Sequence, residues 1–112
     1  MKQEGPTERG SPLALFSYLV IASIQPLKSD AYGLGIANHL IGELGTLIDP
    51  GQIYTTLKRL RKRGLIKLDP KSNIEDEGKK VYIITKLGIK AMDGTEKYVE
   101  LAAHKMATRR GS

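Results

Sequence analysis

The pattern of hydrophobic and polar residues first becomes regular at residue 12. Residues 12–24 are apolar on nearly every side and predict a helix in the centre of the core, with Ser11 as its N-cap and Pro12 at its first position. We expect this helix to stop before Pro26, because proline disfavours a helical conformation in the residue that precedes it. The run is too short to span a bilayer, which needs about twenty apolar residues.

A second helix is predicted from an apolar stripe with helical spacing. The stripe comprises Leu34, Ile36, Ala37, Leu40 and Ile41. Either Ser29 or Asp30 can cap the start of this helix, which we expect to run through Leu40. Gly42 and Gly45 mark its frayed end and the turn that follows.

The third helix carries start and stop signals of its own. Asp49 is the predicted N-cap, Pro50 occupies the first helical position, and Gly64 offers the left-handed residue at which a helix commonly ends. At about 100° per residue, Leu57 and Leu60 fall within about 40° of Ile53, and the three side chains form an inward stripe. The opposite side of the helix therefore faces outwards.

Two strands and a last helix complete the pattern. Residues 65–69 and 80–84 read as strands on either side of a polar loop, and together they predict a hairpin. Thr85 then caps a helix that we expect to reach about residue 108, with a kink or break near residues 93–95, because glycine in a helix costs about 1 kcal/mol relative to alanine.

The order helix, helix, helix, strand, strand, helix predicts a mainly α fold with a two-stranded β-wing, the winged helix-turn-helix. In that fold the third helix enters the major groove of DNA and the wing touches the backbone beside it. We divide the chain into a flexible leader (1–10), a winged helix-turn-helix domain (11–85), a C-terminal dimerisation helix (86–108) and a tail (109–112).

The net charge of the chain is concentrated around the third helix. Residues 52–71 hold seven basic residues and one acidic residue, a net charge of +6, whereas the rest of the chain holds eleven of each. A local surplus of this kind attracts a polyanion. The alternative is a solvated helix whose last turns hold cations because the helix dipole favours them.

Several classes of function find no support in the sequence. The chain has no cysteine, and His39 and His104 stand without acidic partners at ligand spacing, so we expect no metal site. No glycine-rich phosphate loop and no nucleophile with a base is present, so we expect neither an enzyme nor a cofactor. Nothing resembles a signal peptide, and we expect a cytoplasmic protein without membrane contact.

Four short motifs stand out in the sequence: DAYGL at 30–34, GQIYTTLKRL at 51–60, RGLI at 63–66 and VYIITKLG at 81–88. Together and in this order they resemble the PadR family of bacterial transcriptional regulators. The resemblance implies a homodimeric winged-helix protein that binds double-stranded DNA, usually as a repressor, and that dimerises through its C-terminal and first helices. It also implies a small-molecule effector, because some members release DNA when an aromatic ligand binds between the subunits. This chain departs from those members in having no tryptophan, and its sequence does not indicate which effector would bind.

The outward side of the third helix supplies the candidate DNA contacts. The first half of such a helix faces the base edges, so the predicted base-reading residues are Gln52, Thr55 and Thr56. Further residues are placed to contact the sugar-phosphate backbone, either along the helix, at the start of the second helix or on the wing. These are Ser29, Tyr32, Tyr54, Lys58, Arg59, Lys62, Arg63, Lys79 and Lys80.

Three of these assignments leave alternatives open. Arg59 could instead pair with an acid of the second helix, and Tyr54 could pack its ring on that helix, offer its hydroxyl to a phosphate, or do both. On the wing, Lys79 and Lys80 favour DNA contact, but the acidic residues 75–77 would be repelled by it.

The last helix has its own apolar face, predicted to form the dimer interface, composed of Tyr98, Leu101, Ala102 and Met106. The same face could instead dock on the first helix of its own chain. With a dimer, the sequence predicts a transcriptional regulator that binds a palindromic promoter site and acts most simply as a repressor. The alternative is a winged-helix module that binds RNA or a protein partner.

Overall fold

The structure is a computed structural model that describes residues 12–72 and 79–111, with side chains up to residue 107. In this part of the chain four α-helices and two strands follow one another. They are α1 (Leu15–Leu27), a 3₁₀ turn (Lys28–Asp30), α2 (Gly33–Leu44), α3 (Pro50–Lys62), β1 (Ile66–Leu68), β2 (Tyr82–Ile84) and α4 (Lys86–Gly111). The predicted fold class, mainly helical with a two-stranded antiparallel wing, is confirmed.

The core lies where α1, α2, α3 and the wing meet. Its fully buried side chains include Val20 and Ile21 of α1, Ile36 of α2, Leu60 of α3 and Ile66 of β1. Burying each of these side chains contributes roughly 1.5–3 kcal/mol. Because every element of the winged unit contributes to one cluster, the orientation of α3 is set by all the others.

The first helix begins later and ends later than predicted. Leu13 lies outside the helix and its amide donates a 2.9 Å hydrogen bond to the Thr95 hydroxyl, so α1 starts only at Leu15. At the other end Pro26 lies inside the last turn. Proline has no backbone N–H, so one helical hydrogen bond is missing at Pro26. The next residue, Leu27, packs against the core and helps to keep the turn helical. The predicted cap Ser11 and the leader 1–10 lie outside the described residues.

The prediction that Ser29 or Asp30 caps the second helix is wrong. Ala31 is fully buried and its carbonyl accepts a 3.0 Å hydrogen bond from the Tyr82 amide. This bond holds Ala31 in a non-helical conformation, so α2 begins beyond it with Tyr32 at the N-cap. The helix also continues through Gly42 and ends at Gly45, which adopts the left-handed conformation (φ 67°) that glycine tolerates best.

The boundaries of α3 agree with the prediction. The Asp49 carboxylate accepts a 3.0 Å hydrogen bond from the Gly51 amide, Pro50 is the first helical residue, and Gly64 follows the helix with φ 78°. These local features place α3 directly before the wing. The wing strands are shorter than predicted and pair in antiparallel register, with Ile66 opposite Ile84 and Leu68 opposite Tyr82.

The last helix is continuous where a kink or break near residues 93–95 was expected. The 26 residues of α4 run unbroken through Gly94 and extend past the predicted end at residue 108. Two hydrogen bonds from Leu13 and from Tyr18 of α1 support the middle of α4. The Thr95 hydroxyl accepts from the Leu13 amide and donates to the Ala91 carbonyl, and the Tyr18 hydroxyl donates a 2.5 Å hydrogen bond to the Glu96 carboxylate.

The Tyr18–Glu96 contact allows a pH-dependent prediction. Donation to the carboxylate and partial burial raise the pKa of Tyr18 to about 12 from its ordinary value near 10. The hydrogen bond therefore stabilises the fold fully below about pH 10, and its contribution is lost as the pH rises towards 12. We expect Glu96→Gln to lower the pKa of Tyr18 towards 10, measured by tyrosinate absorbance with Tyr18→Phe to assign the signal. An unchanged titration in Glu96→Gln would contradict the contact.

Candidate nucleic-acid interface

The rotation of α3 is set by its buried stripe. Ile53, Leu57 and Leu60 are 0–1% exposed and pack into the core, as the sequence predicts. The opposite side of α3 is therefore held towards solvent. It presents exposed side chains at Gln52, Thr55, Lys58, Arg59, Lys62 and Arg63.

Thr56 does not join this surface. Its side chain is 4% exposed, and an enclosed side chain cannot reach a base edge. The prediction that Thr56 reads bases is therefore wrong for this structure. On the helical wheel Thr56 lies at the margin of the outward side, and the packing of α3 against the rest of the core covers that margin. Gln52 and Thr55 remain exposed at the start of the helix.

The structure bears on the alternatives left open for Arg59 and Tyr54. Arg59 is exposed and makes no ion pair within the described part of the chain, so it does not brace α2. The ring of Tyr54 packs on the backbone of α2 at Gly33, where an added β-carbon would lie 2.7 Å from the Tyr54 hydroxyl oxygen. Tyr54 is still 37% exposed. Packing on α2 therefore leaves part of Tyr54 accessible to a ligand.

The start of α2 lies beside α3 through the Gly33–Tyr54 contact. No side chain caps the helix, so its first amides are not satisfied by a capping group. Tyr32 is half-buried at the N-cap, and Ser29 is exposed in the preceding 3₁₀ turn. Uncapped helix amides favour an anion, which is compatible with the predicted contact between this region and the sugar-phosphate backbone of DNA.

The Ser72 side chain joins the two described ends of the wing, beyond the paired residues of the strands. The Ser72 hydroxyl donates to the Lys79 carbonyl at 3.2 Å and accepts from the Val81 amide at 2.8 Å. Lys79 is exposed and Lys80 is half-buried, two residues before β2 begins. The acidic residues 75–77, whose relation to DNA was left open, lie outside the described residues.

A groove of about 540 Å³ separates the wing from α3. It is lined by Tyr54, Thr55, Lys58, Arg61, Lys80 and Tyr82. Among these, Arg61 was assigned no contact in the sequence analysis, although it lies at the same margin of the outward side as Tyr54. Its spacing from Tyr54 and Lys58, seven and three residues, would have placed all three on one stripe of the helix.

The predicted dimer face is exposed in the single chain. Tyr98, Leu101 and Met106 are 55–59% exposed and Ala102 is half-buried. A second groove of about 710 Å³ runs beside this face between α4 and the start of α1. It adds Leu15 and Val99 to the exposed apolar surface, two residues that the sequence analysis did not single out. The alternative, docking of this face on the chain's own α1, is not observed for these exposed side chains.

Two further observations concern the described residues alone. They include no group of three or more histidine or acidic side chains placed to hold a metal ion. None of their helices is long and apolar enough to cross a membrane.

Comparisons with known proteins agree with this geometry. The model of the transcriptional regulator PadR-like family matches residues 21–94, which is about two thirds of the chain. Comparison with the curated proteins finds no match. Among solved structures, the chain is similar to a PadR-like transcriptional regulator from Bacillus cereus, with a TM-score of 0.69 and 19% identity over 88% of this chain and 93% of the other.

A second solved structure shows the same likeness. It is a candidate transcriptional regulator from Thermoplasma acidophilum, with a TM-score of 0.63 and 19% identity over 88% of this chain and 92% of the other. At these identities the two structures show a shared fold. The family model independently matches the segment from α1 to the middle of α4, which contains α3 and the wing.

Proposed function

The chain belongs to the PadR-like family of transcriptional regulators, and from this premise we propose that it is a homodimeric repressor of a palindromic promoter site. Membership of the family implies regulation through DNA binding. The proposal adds the residues that contact DNA, the dimer and the direction of regulation. In it the winged domain (11–85) binds DNA and the last helix (86–108) forms the dimer.

One observation carries the proposal. On α3, exposed Gln52 and Thr55 precede a series of exposed cations, and the buried stripe of the same helix prevents it from turning this surface inwards. Glutamine can form two hydrogen bonds to adenine, and threonine can offer a hydroxyl to a base or a methyl group to thymine. We propose that these two residues read bases.

The proposed backbone contacts surround this pair. Cations further along α3 would meet phosphates where the helix leaves the major groove, and they would add affinity without identifying a base. The contacts also extend to the start of α2 and to the wing. The proposed set is Ser29, Tyr32, Tyr54, Lys58, Arg59, Lys62, Arg63, Lys79 and Lys80.

The proposed dimer gives the site its symmetry. Large apolar side chains more than half exposed on α4 favour a partner, because burying them in an interface removes apolar surface from water. A two-fold axis would set the two α3 helices about 34 Å apart and match them to the half-sites of a palindrome. A dimer bound at a promoter represses most simply by blocking polymerase. A small-molecule effector would act by changing the distance between the two helices.

Selection of bound sequences from random DNA duplexes tests the proposal. We expect a palindrome to emerge and to be preferred at physiological salt. Gln52→Ala and Thr55→Ala should each reduce discrimination at one position of the half-site by about 1–3 kcal/mol. Lys62→Ala and Arg63→Ala should instead weaken binding to all sequences alike and flatten the salt dependence by about one unit per subunit.

The two pairs of variants serve as controls for each other, since all four side chains are exposed on one helix. Equal loss of base preference in both pairs would contradict the division of roles. Binding with no sequence preference, or stronger binding to RNA than to duplex DNA, would refute the regulatory proposal itself.

A further inference from the structure

The last helix is attached to its own domain at two places. At the first, the Thr85 hydroxyl donates a 2.7 Å hydrogen bond to the Gly64 carbonyl and accepts a 3.0 Å hydrogen bond from the Gly88 amide. An added β-carbon at Gly88 would overlap the Leu65 carbonyl oxygen, so the first turn of α4 lies against the connection between α3 and β1. We call these contacts the first anchor.

The second anchor holds the middle of α4. Thr95 is only 4% exposed, and its hydroxyl accepts a 2.9 Å hydrogen bond from the Leu13 amide. The Leu13 side chain belongs to the buried core, so this bond ties α4 to the interior of the winged domain. At the next residue of α4, the Glu96 carboxylate accepts the hydrogen bond of the Tyr18 hydroxyl. These two hydrogen bonds together make up the second anchor.

Beyond the second anchor, α4 no longer packs on its domain. Between residues 96 and 107 every side chain except Ala102 is exposed. The face proposed to form the dimer lies on this part of the helix, at Tyr98, Leu101, Ala102 and Met106. Gly88 and Thr95 are seven residues apart, which is about 10 Å along the helix axis. Because two separated points fix the direction of a helix, the anchors together determine where the dimer face points.

We propose that Thr95 is a positioning residue that sets the half-site spacing the dimer accepts. This inference rests on the proposed function, in which α4 joins the two subunits and each α3 reads one half-site. One base pair added between the half-sites moves them apart by about 3.4 Å and turns one relative to the other by about 35°. A symmetric dimer divides that turn equally, so each subunit has to absorb about 17°.

The second anchor opposes a turn of this size. If α4 pivoted on the first anchor by about 17°, Thr95 would move by about 3 Å, given its distance along the helix. The 2.9 Å hydrogen bond from the Leu13 amide would then be broken. Leu13 is 6% exposed, so its amide would lose its acceptor in a buried position, which is unfavourable. With Thr95 in place the dimer should therefore bind one spacing and discriminate against its neighbours.

The test compares the selected palindrome with versions that have one base pair inserted or removed at the centre. The spacing penalty is the ratio of the affinity for the selected palindrome to that for an altered one. Thr95→Val keeps the shape of the side chain and removes the hydroxyl, and it should reduce the spacing penalty about tenfold, because one hydrogen bond per subunit no longer has to break. Thr95→Ser retains the hydroxyl and should keep the wild-type penalty. Tyr18→Phe removes the other hydrogen bond of the second anchor and should also reduce the penalty.

Ser23→Ala is the matched control for a general loss of stability. Ser23 is 3% exposed, and its hydroxyl donates to the Leu19 carbonyl within α1, so the variant should keep the wild-type spacing penalty. If Thr95→Val and Tyr18→Phe both keep that penalty, or if Ser23→Ala reduces it as much as Thr95→Val, the positioning role is refuted. The proposed function still stands in that case, provided that the wild type binds its palindrome. If the wild type selects no palindrome, both fail together.

Discussion

Replacing Leu101 with aspartate is expected to convert the protein into a monomer and to lower its affinity for the palindrome by about 10²- to 10⁴-fold. The loss has this size because two linked DNA-binding units bind with an avidity that exceeds that of one unit by about that factor. No DNA contact is removed. Light scattering reports the mass, and titration of the full palindrome and of a single half-site reports the affinity. The half-site should be bound equally by variant and wild type.

The structure explains why Leu101 is the position of choice. Its side chain is 55% exposed in the single chain, so a charge there does not disturb the core. It lies on the same face as Tyr98 and Met106. The groove beside that face is lined by Leu15, whose side chain is 73% exposed. A carboxylate placed on this surface would have to lose its water if a partner covered it, and burying an unpaired charge is strongly unfavourable.

Ala103→Asp is the matched control. It adds the same charge to the same helix two residues away, at an exposed position about 200° around the helix from Leu101. Ala103→Asp should remain dimeric and keep its affinity. If it dissociates as readily as Leu101→Asp, charge alone destabilises the dimer and the assigned face is wrong. If Leu101→Asp stays dimeric, the chain pairs through another surface.

The elements that the sequence predicts well are those whose signals are local. At α3 the N-cap Asp49, the first-turn Pro50 and the left-handed Gly64 act within a few residues of the ends they specify, and all agree with the structure. The inward stripe of α3 follows from periodicity alone. For the same reason the exposed pair Gln52 and Thr55 could be chosen before the fold was known.

The predictions that failed depended on contacts between distant parts of the chain. The start of α1 is set by the hydrogen bond of Leu13 to Thr95, 82 residues later. The start of α2 is set by the bond from Tyr82 to Ala31. Thr56 lies at the margin of a helical wheel, and whether a margin is covered depends on what packs beside it. Arg61 gained its place at the groove only when β2 was brought next to α3.

The continuous α4 shows a related effect. Gly94 carries the local penalty that suggested a break, but the Thr95 hydroxyl ties this turn to both Leu13 and Ala91. The hydrogen bond from Leu13, which comes from outside the helix, offsets a penalty of about 1 kcal/mol. Local propensity therefore identified an unfavourable residue correctly, while tertiary contacts decided whether the helix broke there.

Replacing Gly88 with alanine is expected to lower the free energy of unfolding by about 2–3 kcal/mol, the upper part of the range for an overpacked site. Gly88 is buried in the first turn of α4, where an added methyl group would overlap the Leu65 carbonyl oxygen and lie 2.7 Å from Cγ1 of Ile84. The carbonyl cannot retreat freely, because it accepts a 3.1 Å hydrogen bond from the Thr85 amide. Denaturant unfolding measures the change.

Gly94→Ala makes the same substitution in the same helix with the opposite expectation. No atom lies within 4 Å of the added methyl group, so only the backbone preference of alanine remains, and the free energy of unfolding should rise by about 0.5–1 kcal/mol. Both variants replace glycine with alanine in α4. Opposite signs of the change in the free energy of unfolding would therefore separate the effect of packing from that of helix propensity. If both variants stabilise the protein, α4 does not approach Leu65 as closely as in this structure, and the wing is then not fixed to the start of α4. A loss in Gly88→Ala alone supports a rigid connection between the wing and α4, through which the proposed dimer would set the spacing of the two α3 helices.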